Sequence, residues 1–205
     1  MNVAELALKN LVVGEHVSYI FEGQDITNVQ MDRAARRLGN ALKRLGVSRG
    51  DRVIMQMPNC PEVFQAFQAI WRIGAVAVPI NYLVGQEEIN HIYRDSGVHT
   101  VITSPDYLDK VRIAQSQSGA VKNIIMVADS DVEETHNFRK ILEASSEDLE
   151  MVQTDDDEVA TMIYTSGTTG KPKGVMLTHA GLAYSARMQQ ETTNLPQDLI
   201  SLAVL

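Results

Sequence analysis

One cysteine, Cys60, stands in a chain of 205 residues. No disulfide can close within the chain, and no cysteine-based zinc site can form. Such sparing use of cysteine fits a reducing compartment. Aromatic residues are also scarce, at 5%, whereas methionine occurs nine times. The core is therefore expected to be aliphatic and adaptable. Positive charge is in deficit: 18 Lys and Arg face 26 Asp and Glu, for a net charge of −8. That argues against nucleic acid as a general partner, because no excess of cations is present to neutralise phosphates. Long apolar runs are missing. No window approaches the ~18 uninterrupted apolar residues of a membrane span. The first residues lack both the basic region and the apolar core of a signal peptide. The expected location is the cytoplasm, and the length suits one good-sized domain or two small ones.

What is present reads as strands alternating with amphipathic helices. Residues 4–13 read as a short helix. Residues 17–21 and 24–26 read as two strands joined by a tight turn at Glu22-Gly23. Thr27 and Gln30 have the spacing of a capping box. The helix that follows carries Met31, Ala35, Leu38, Leu42 and Leu45 on one stripe, and Gly46 ends it. Arg33, Arg36, Arg37 and Lys43 mostly lie off that stripe and read as a solvated face in preference to a functional basic patch. Residues 53–57 are a near-continuous apolar run typical of a strand buried on both faces, 76–80 read as another short buried strand, and 100–103 and 123–127 read as strands. Between them lie helices with Val63, Phe67, Ile70 and Trp71 inward, and then Ile89, Ile92 and Tyr93. Asn59 and Ser104 are candidate helix caps, with Pro105 at a first helical position. This alternation predicts an α/β fold, with a layered, mostly parallel sheet flanked by helices. Residues 128–157 are acidic and read as a solvated connector with one short helix around Phe138, Ile141 and Leu142. Their carboxylates do not have the spacing of a calcium loop. A helix from Thr178 or His179 to Gln190, a loop at 194–198 and an apolar strand at 199–205 complete the chain.

Residues 159–179 are the most informative stretch. An apolar strand at 160–164 breaks into Thr165-Ser166-Gly167-Thr168-Thr169-Gly170, in which every residue is small or carries a hydroxyl. Lys171 and Lys173 follow with Pro172 between them. Gly174 ends the loop, and a second apolar run occupies 175–177. Glycines permit close backbone approach to a ligand. Four hydroxyls, backbone N–H groups and two ammonium groups in one short loop make a polyanion site, most simply for a phosphate chain. The lysines stand out because the rest of the chain is acidic. The loop is not a P-loop: Gly170-Lys171 is followed by Pro172 instead of Ser or Thr, and Thr165 stands where the first glycine is required. The spacing of Gly167, Gly170 and Gly174 also fails the dinucleotide fingerprint.

The string Tyr164-Thr165-Ser166-Gly167-Thr168-Thr169-Gly170-Lys171-Pro172-Lys173-Gly174-Val175 resembles the signature of the AMP-binding, adenylate-forming superfamily. That superfamily includes acyl-CoA synthetases, luciferases and the adenylation domains of peptide synthetases. Gly50-Asp51-Arg52-Val53, Pro58-Asn59-Cys60-Pro61-Glu62 and Gly74-Ala75-Val76-Ala77-Val78-Pro79-Ile80-Asn81 are similar to the N-terminal pattern of acyl-CoA synthetases. The resemblance covers essentially the whole chain. It implies a ligase that activates a carboxylic acid, expected to be a fatty acid, with ATP. An acyl-adenylate forms and is then passed to the thiol of coenzyme A. It implies that Thr165, Ser166, Gly167, Thr168, Thr169, Gly170, Lys171 and Lys173 bind the ATP phosphates, and that Thr165 is the loop residue nearest Mg2+.

The same resemblance bounds the expectation. Family members are roughly two to three times longer, as further domains of usual size require. Their adenine, ribose and catalytic-lysine contacts lie C-terminal to this loop. Residues 1–205 are therefore expected to be the N-terminal portion of an AMP-binding domain, without catalytic residues of its own and inactive alone. Its truncated edge is expected to expose apolar surface around Met162 and Leu202 and to promote self-association. Two rival readings are a non-catalytic nucleotide-binding or interaction fragment and a peptide-synthetase adenylation domain. His179 reads as structural at a helix start, Trp71 as core, and Cys60 as an unreactive thiol.

Overall fold

The structure is a computed structural model and describes residues 1–81, 83–165 and 171–193. The loop at 194–198 and the strand at 199–205 expected from the sequence lie outside the described residues. Helix α1 (Glu5–Val12) is followed by an antiparallel hairpin of β1 (Val17–Phe21) and β2 (Gln24–Thr27). The capping box forms as expected. Thr27 Oγ1 accepts from the Gln30 N–H at 3.2 Å, and the Thr27 N–H donates to Gln30 Oε1 at 2.8 Å. It opens α2 (Asn28–Arg44), which buries Met31, Ala35, Leu38 and Leu42.

Then come β3 (Arg52–Gln56), α3 (Pro61–Arg72), β4 (Val76–Pro79) and α4 (Gln86–Ser96). β5 (Thr100–Thr103), α5 (Leu108–Ser118) and β6 (Asn123–Met126) follow. β7 (His136–Asn137), α6 (Phe138–Glu143), β8 (Val159–Thr165), β9 (Lys173–Thr178) and α7 (His179–Thr193) complete the described chain. Two expected caps are not made. Cys60, not Asn59, precedes α3, and it makes no side-chain cap bond. Ser104 leads into a single 3-10 turn, and its buried hydroxyl has no partner among the described residues.

Among the described residues seven strands form one sheet in the order β7-β6-β5-β3-β4-β8-β9. Every neighbouring pair is parallel except β8–β9. The expected layered α/β sheet is thus present. The central strands β3, β4, β5 and β6 are buried on both faces, so their alternate residues feed two cores. Val53, Met55, Ile102 and Ile125 pack with Leu38, Leu42, Ala69 and Ile70 beneath α2 and α3. Ile54, Val78, Val101 and Met126 pack with Ile89, Ile92, Tyr93 and Val111 beneath α4 and α5. No helix among the described residues is long and apolar enough to cross a membrane.

The acidic connector corrects the sequence reading. It is not freely solvated, and the arginines of α2 are what hold it. Arg37 and Arg33 both pair with Glu147, and Asn40 Nδ2 donates to the carbonyls of Ser146 and Asp148 at 2.8 and 2.9 Å. Arg44 donates to the Ala144 carbonyl at 2.6 Å, and Leu149 inserts into the core. Gly39, in the middle of α2, permits this approach. A Cβ there would lie 2.5 Å from Leu149 Cδ2. The connector also supplies β7, which extends the parallel sheet beyond β6.

Candidate functional site

The phosphate-type loop joins the two antiparallel strands of the sheet. β8 lies beside β4, with Thr161 opposite Ala77. Trp71, reaching across from α3, donates its indole N–H to the Ala160 carbonyl at 3.0 Å and lies 3.2 Å from Thr161 Oγ1. Trp71 is therefore a core residue, as expected, and also fastens the strand that carries the site. β9 pairs with β8 so that Ile163 faces Val175, Tyr164 faces Gly174 and Thr165 faces Lys173. Cross-strand partners share a face of the ladder. The Thr165 hydroxyl and the Lys173 ammonium thus leave the same side of the hairpin's loop end, and both residues are exposed, as is Lys171. Ser166, Gly167, Thr168, Thr169 and Gly170 lie outside the described residues.

Three contacts fix the surroundings of this end. Tyr164 donates its hydroxyl to Asp95 Oδ2 at 2.6 Å. Burial, reinforced by that carboxylate, pushes the phenol well above its ordinary range. His91 Nε2 lies 3.0 Å from the Pro172 carbonyl. Gly174 lies under the Tyr164 ring, where a Cβ would come within 3.2 Å of Cζ and 2.9 Å of Met162 Sδ. A glycine is needed there for close approach, not for backbone freedom. The sequence reading placed α4 correctly but assigned nothing to His91 or Asp95. Their spacing of four is visible in the sequence; the neighbour they reach is not.

A cleft of about 520 Å³ opens beside the hairpin, lined by Met57 and Asn59 after β3, Ile80 and Asn81 after β4, and Ile163 and Tyr164 of β8. It lies at the carboxyl ends of parallel strands, where open α/β sheets bind ligands. A second groove, of about 490 Å³, lies between α2, α3 and α6 and includes Arg33, Arg37 and Arg139. Those arginines are already paired with Glu147 and Asp129. Among the described residues no ion pair engages Lys171 or Lys173. The two hairpin lysines are thus available to a new anion, whereas the arginines of the groove already have carboxylate partners.

No group of three or more His, Cys, Asp or Glu that could hold a metal occurs among the described residues. The donor set at the hairpin is a hydroxyl and ammonium groups. It fits Mg2+ only as a companion of a phosphate chain, which would provide most of the ligands. Burial first, then Glu62, push the Cys60 thiol up to about 12, which disfavours the reactive thiolate.

His179 is fully buried at the start of α7. Its Nδ1 accepts the Val3 N–H at 3.1 Å, while its Nε2 has no partner among the described residues. That geometry is structural, as expected. Next to it Glu158 accepts from Arg49 Nε at 2.8 Å and from the Asp155 N–H at 2.5 Å. Arg49, then that N–H, hold the Glu158 carboxyl down from 4.5 to about 2. Burial lowers His179 from its ordinary 6.5. In both cases the unfolded chain takes up the proton first, so acid destabilises the fold. The Glu158 contribution is complete above its unfolded value and is lost as pH falls towards about 2. The His179 contribution begins to fall as pH drops through the ordinary histidine range. Urea midpoints are expected to decline from about pH 7.5 to about pH 5.5. His179→Asn, which keeps an acceptor for Val3, should flatten that slope. An unchanged slope would remove His179 from this explanation.

A sequence model of the family described as "AMP-binding enzyme" matches residues 10–205. The chain belongs to the AMP-binding enzyme family. It is 35% identical over 173 residues to 4-coumarate–CoA ligase 2 of Petroselinum crispum, covering 84% of this chain and 31% of that protein. An anthranilate CoA ligase solved in complex with anthranoyl-AMP superposes with a TM-score of 0.88 at 26% identity, over 91% of this chain and 36% of that one. A long-chain-fatty-acid–CoA ligase from Archaeoglobus fulgidus gives 0.85 at 26%, over 95% and 40%. This member of the AMP-binding enzyme family spans about a third of the length of the curated relatives it matches. Its sheet is that of adenylate-forming CoA ligases.

Proposed function

We propose that residues 1–205 form the N-terminal portion of an AMP-binding domain and hold the ATP phosphates for a carboxylic acid–coenzyme A ligase. The observation that carries this reading is the pairing of Thr165 with Lys173 at the loop end of the β8–β9 hairpin. It aims a hydroxyl and a cation at one place, within the signature string, at the carboxyl edge of the sheet. In the proposed reaction a substrate carboxylate oxygen attacks the ATP α-phosphorus. A carboxyl O–P bond forms, the Pα–O–Pβ bond breaks, and pyrophosphate leaves. The thiol of coenzyme A then displaces AMP. Lys171 and Lys173 would offset the charge that builds on the leaving β- and γ-phosphates, and Thr165 would donate to a phosphate oxygen. Ser166, Thr168, Thr169 and the amides of Gly167 and Gly170 would add donors. Mg2+, with the Thr165 hydroxyl beside it, would supply further neutralisation of the phosphate chain.

A coumarate ligase and an anthranilate ligase stand among the relatives beside a fatty-acid ligase. The acid is therefore proposed only as an organic carboxylic acid, with fatty acids one subclass. The share of relatives' length supports the proposal that the remaining catalytic contacts come from further residues, with the 205-residue chain inactive alone. Exposed Ile163, Val175 and Met176 on the hairpin support self-association. The decisive assay is acid-dependent exchange of labelled pyrophosphate into ATP, run on the 205-residue chain and on a longer reading frame, with 4-coumarate, anthranilate and a long-chain fatty acid. The longer protein should exchange with at least one acid, and the chain alone with none. Exchange by the chain alone would overturn the division of labour. Absence of exchange with every acid in the longer protein would overturn the ligase reading.

A further inference from the structure

We propose that α4 clamps the phosphate hairpin, with His91 and Asp95 acting as positioning residues for its cationic end. The proposal rests on the phosphate-binding reading above. His91 and Asp95 are four residues apart, so they lie one turn apart on one face of the helix. Between them they hold both legs of the hairpin. Asp95 takes the hydroxyl of Tyr164, the residue before Thr165, at 2.6 Å. His91 reaches the carbonyl of Pro172, the residue between the two lysines, at 3.0 Å. A carbonyl can only accept, so Nε2 carries the proton. Holding that carbonyl fixes the peptide plane from which Lys173 departs. Pro172 has a restricted φ, which stiffens the same point from the other side.

The hairpin needs an outside support. β9 is the last strand of the sheet, and its ladder partner among the described residues is β8. A two-stranded end is marginally ordered by itself. α4 is a suitable anchor because Ile89, Asn90, Ile92 and Tyr93 bury its other side beneath the sheet. Gly174 completes the arrangement. Without a Cβ, it lets the Tyr164 ring cross β9 and reach Asp95. Preorganised donors bind a developing anion without reorganisation, and small misplacements of such groups are costly.

The test uses the 205-residue chain and magnesium pyrophosphate as the probe, under conditions where every variant is folded. Asp95→Ala, Tyr164→Phe and His91→Ala should each weaken pyrophosphate binding roughly five- to tenfold, the expected loss for one well-formed hydrogen bond. Asp95→Asn and His91→Gln keep an acceptor and a donor in place and should recover most of it. The double variant Asp95→Ala/Tyr164→Phe should be no worse than either single change, because both break one contact. Wild-type affinity in the Ala variants would overturn the clamp. Amide exchange provides a readout without ligand. Exchange at Lys171 and Lys173 should speed up roughly tenfold in both Ala variants, while the β3 and β4 amides stay unchanged. Unchanged exchange at the lysines would overturn the clamp even if the wild-type chain bound no pyrophosphate, a result that would count separately against the phosphate reading.

Discussion

Replacing Asp32 by Ala is expected to remove about 3–5 kcal/mol of stability, the usual cost of leaving a buried charge without its partner. Arg72, near the end of α3, is 4% exposed. Its Nη2 donates to Asp32 Oδ1 at 2.6 Å, and Arg36 Nε donates to Oδ2 at 2.8 Å. Among the described residues Arg72 Nε has no hydrogen-bond partner. The guanidinium is therefore held by one carboxylate, and without it Arg72 has no route to water short of opening the α2–α3 interface. Its carbonyl also accepts the Val152 N–H at 2.8 Å, so the connector would loosen with it. A urea titration reads the effect as a lower midpoint at an unchanged slope. Asp32→Leu combined with Arg72→Met, which removes both charges, should recover most of the loss. A change below about 1 kcal/mol in Asp32→Ala would show that Arg72 finds water or another partner, and that the pair is dispensable.

The second large effect concerns ligand. Replacing Lys171 and Lys173 together by Ala should weaken binding of magnesium pyrophosphate roughly 10- to 100-fold, the range for two charge-assisted contacts at a solvent-facing site. Both lysines are exposed, so the loss should shrink as salt rises. The fold should not suffer, because neither ammonium takes part in an ion pair among the described residues. A normal melting curve with lost affinity is therefore expected. If affinity survives in the double variant, the cations of the hairpin are not what holds the anion. The arginine groove between α2, α3 and α6 would then be the place to look.

Much of the fold is legible in the sequence because its signals are local. The Thr27–Gln30 box, the stripe from Met31 to Leu42 and the apolar runs that became β3, β4, β5 and β6 each announce themselves within a few residues. The signature string is legible for the same reason. What the sequence hides is contact between distant segments. β7 is two residues long and has no periodicity to detect. The acidic connector reads as solvated until Arg33, Arg37, Asn40 and Arg44 of α2 are placed against it. Asp32 and Arg72 are ordinary helical residues until α2 and α3 are packed in register. His91 and Asp95 look like the polar face of α4, which they are; only the tertiary fold puts Tyr164 and Pro172 across from them. The site is thus readable as chemistry from one string, and its supports are not.

The claim on which the rest depends is that the β8–β9 hairpin is the anion site of this chain. Titrating the isotopically labelled 205-residue chain with magnesium pyrophosphate, and following every backbone amide, tests it directly. Saturable shifts centred on Thr165, Lys171, Lys173 and Gly174, fading along β8 and β9, are the expected result. Shifts centred instead on Arg33, Arg37 and Arg139, or no saturable shift at millimolar probe, would contradict it.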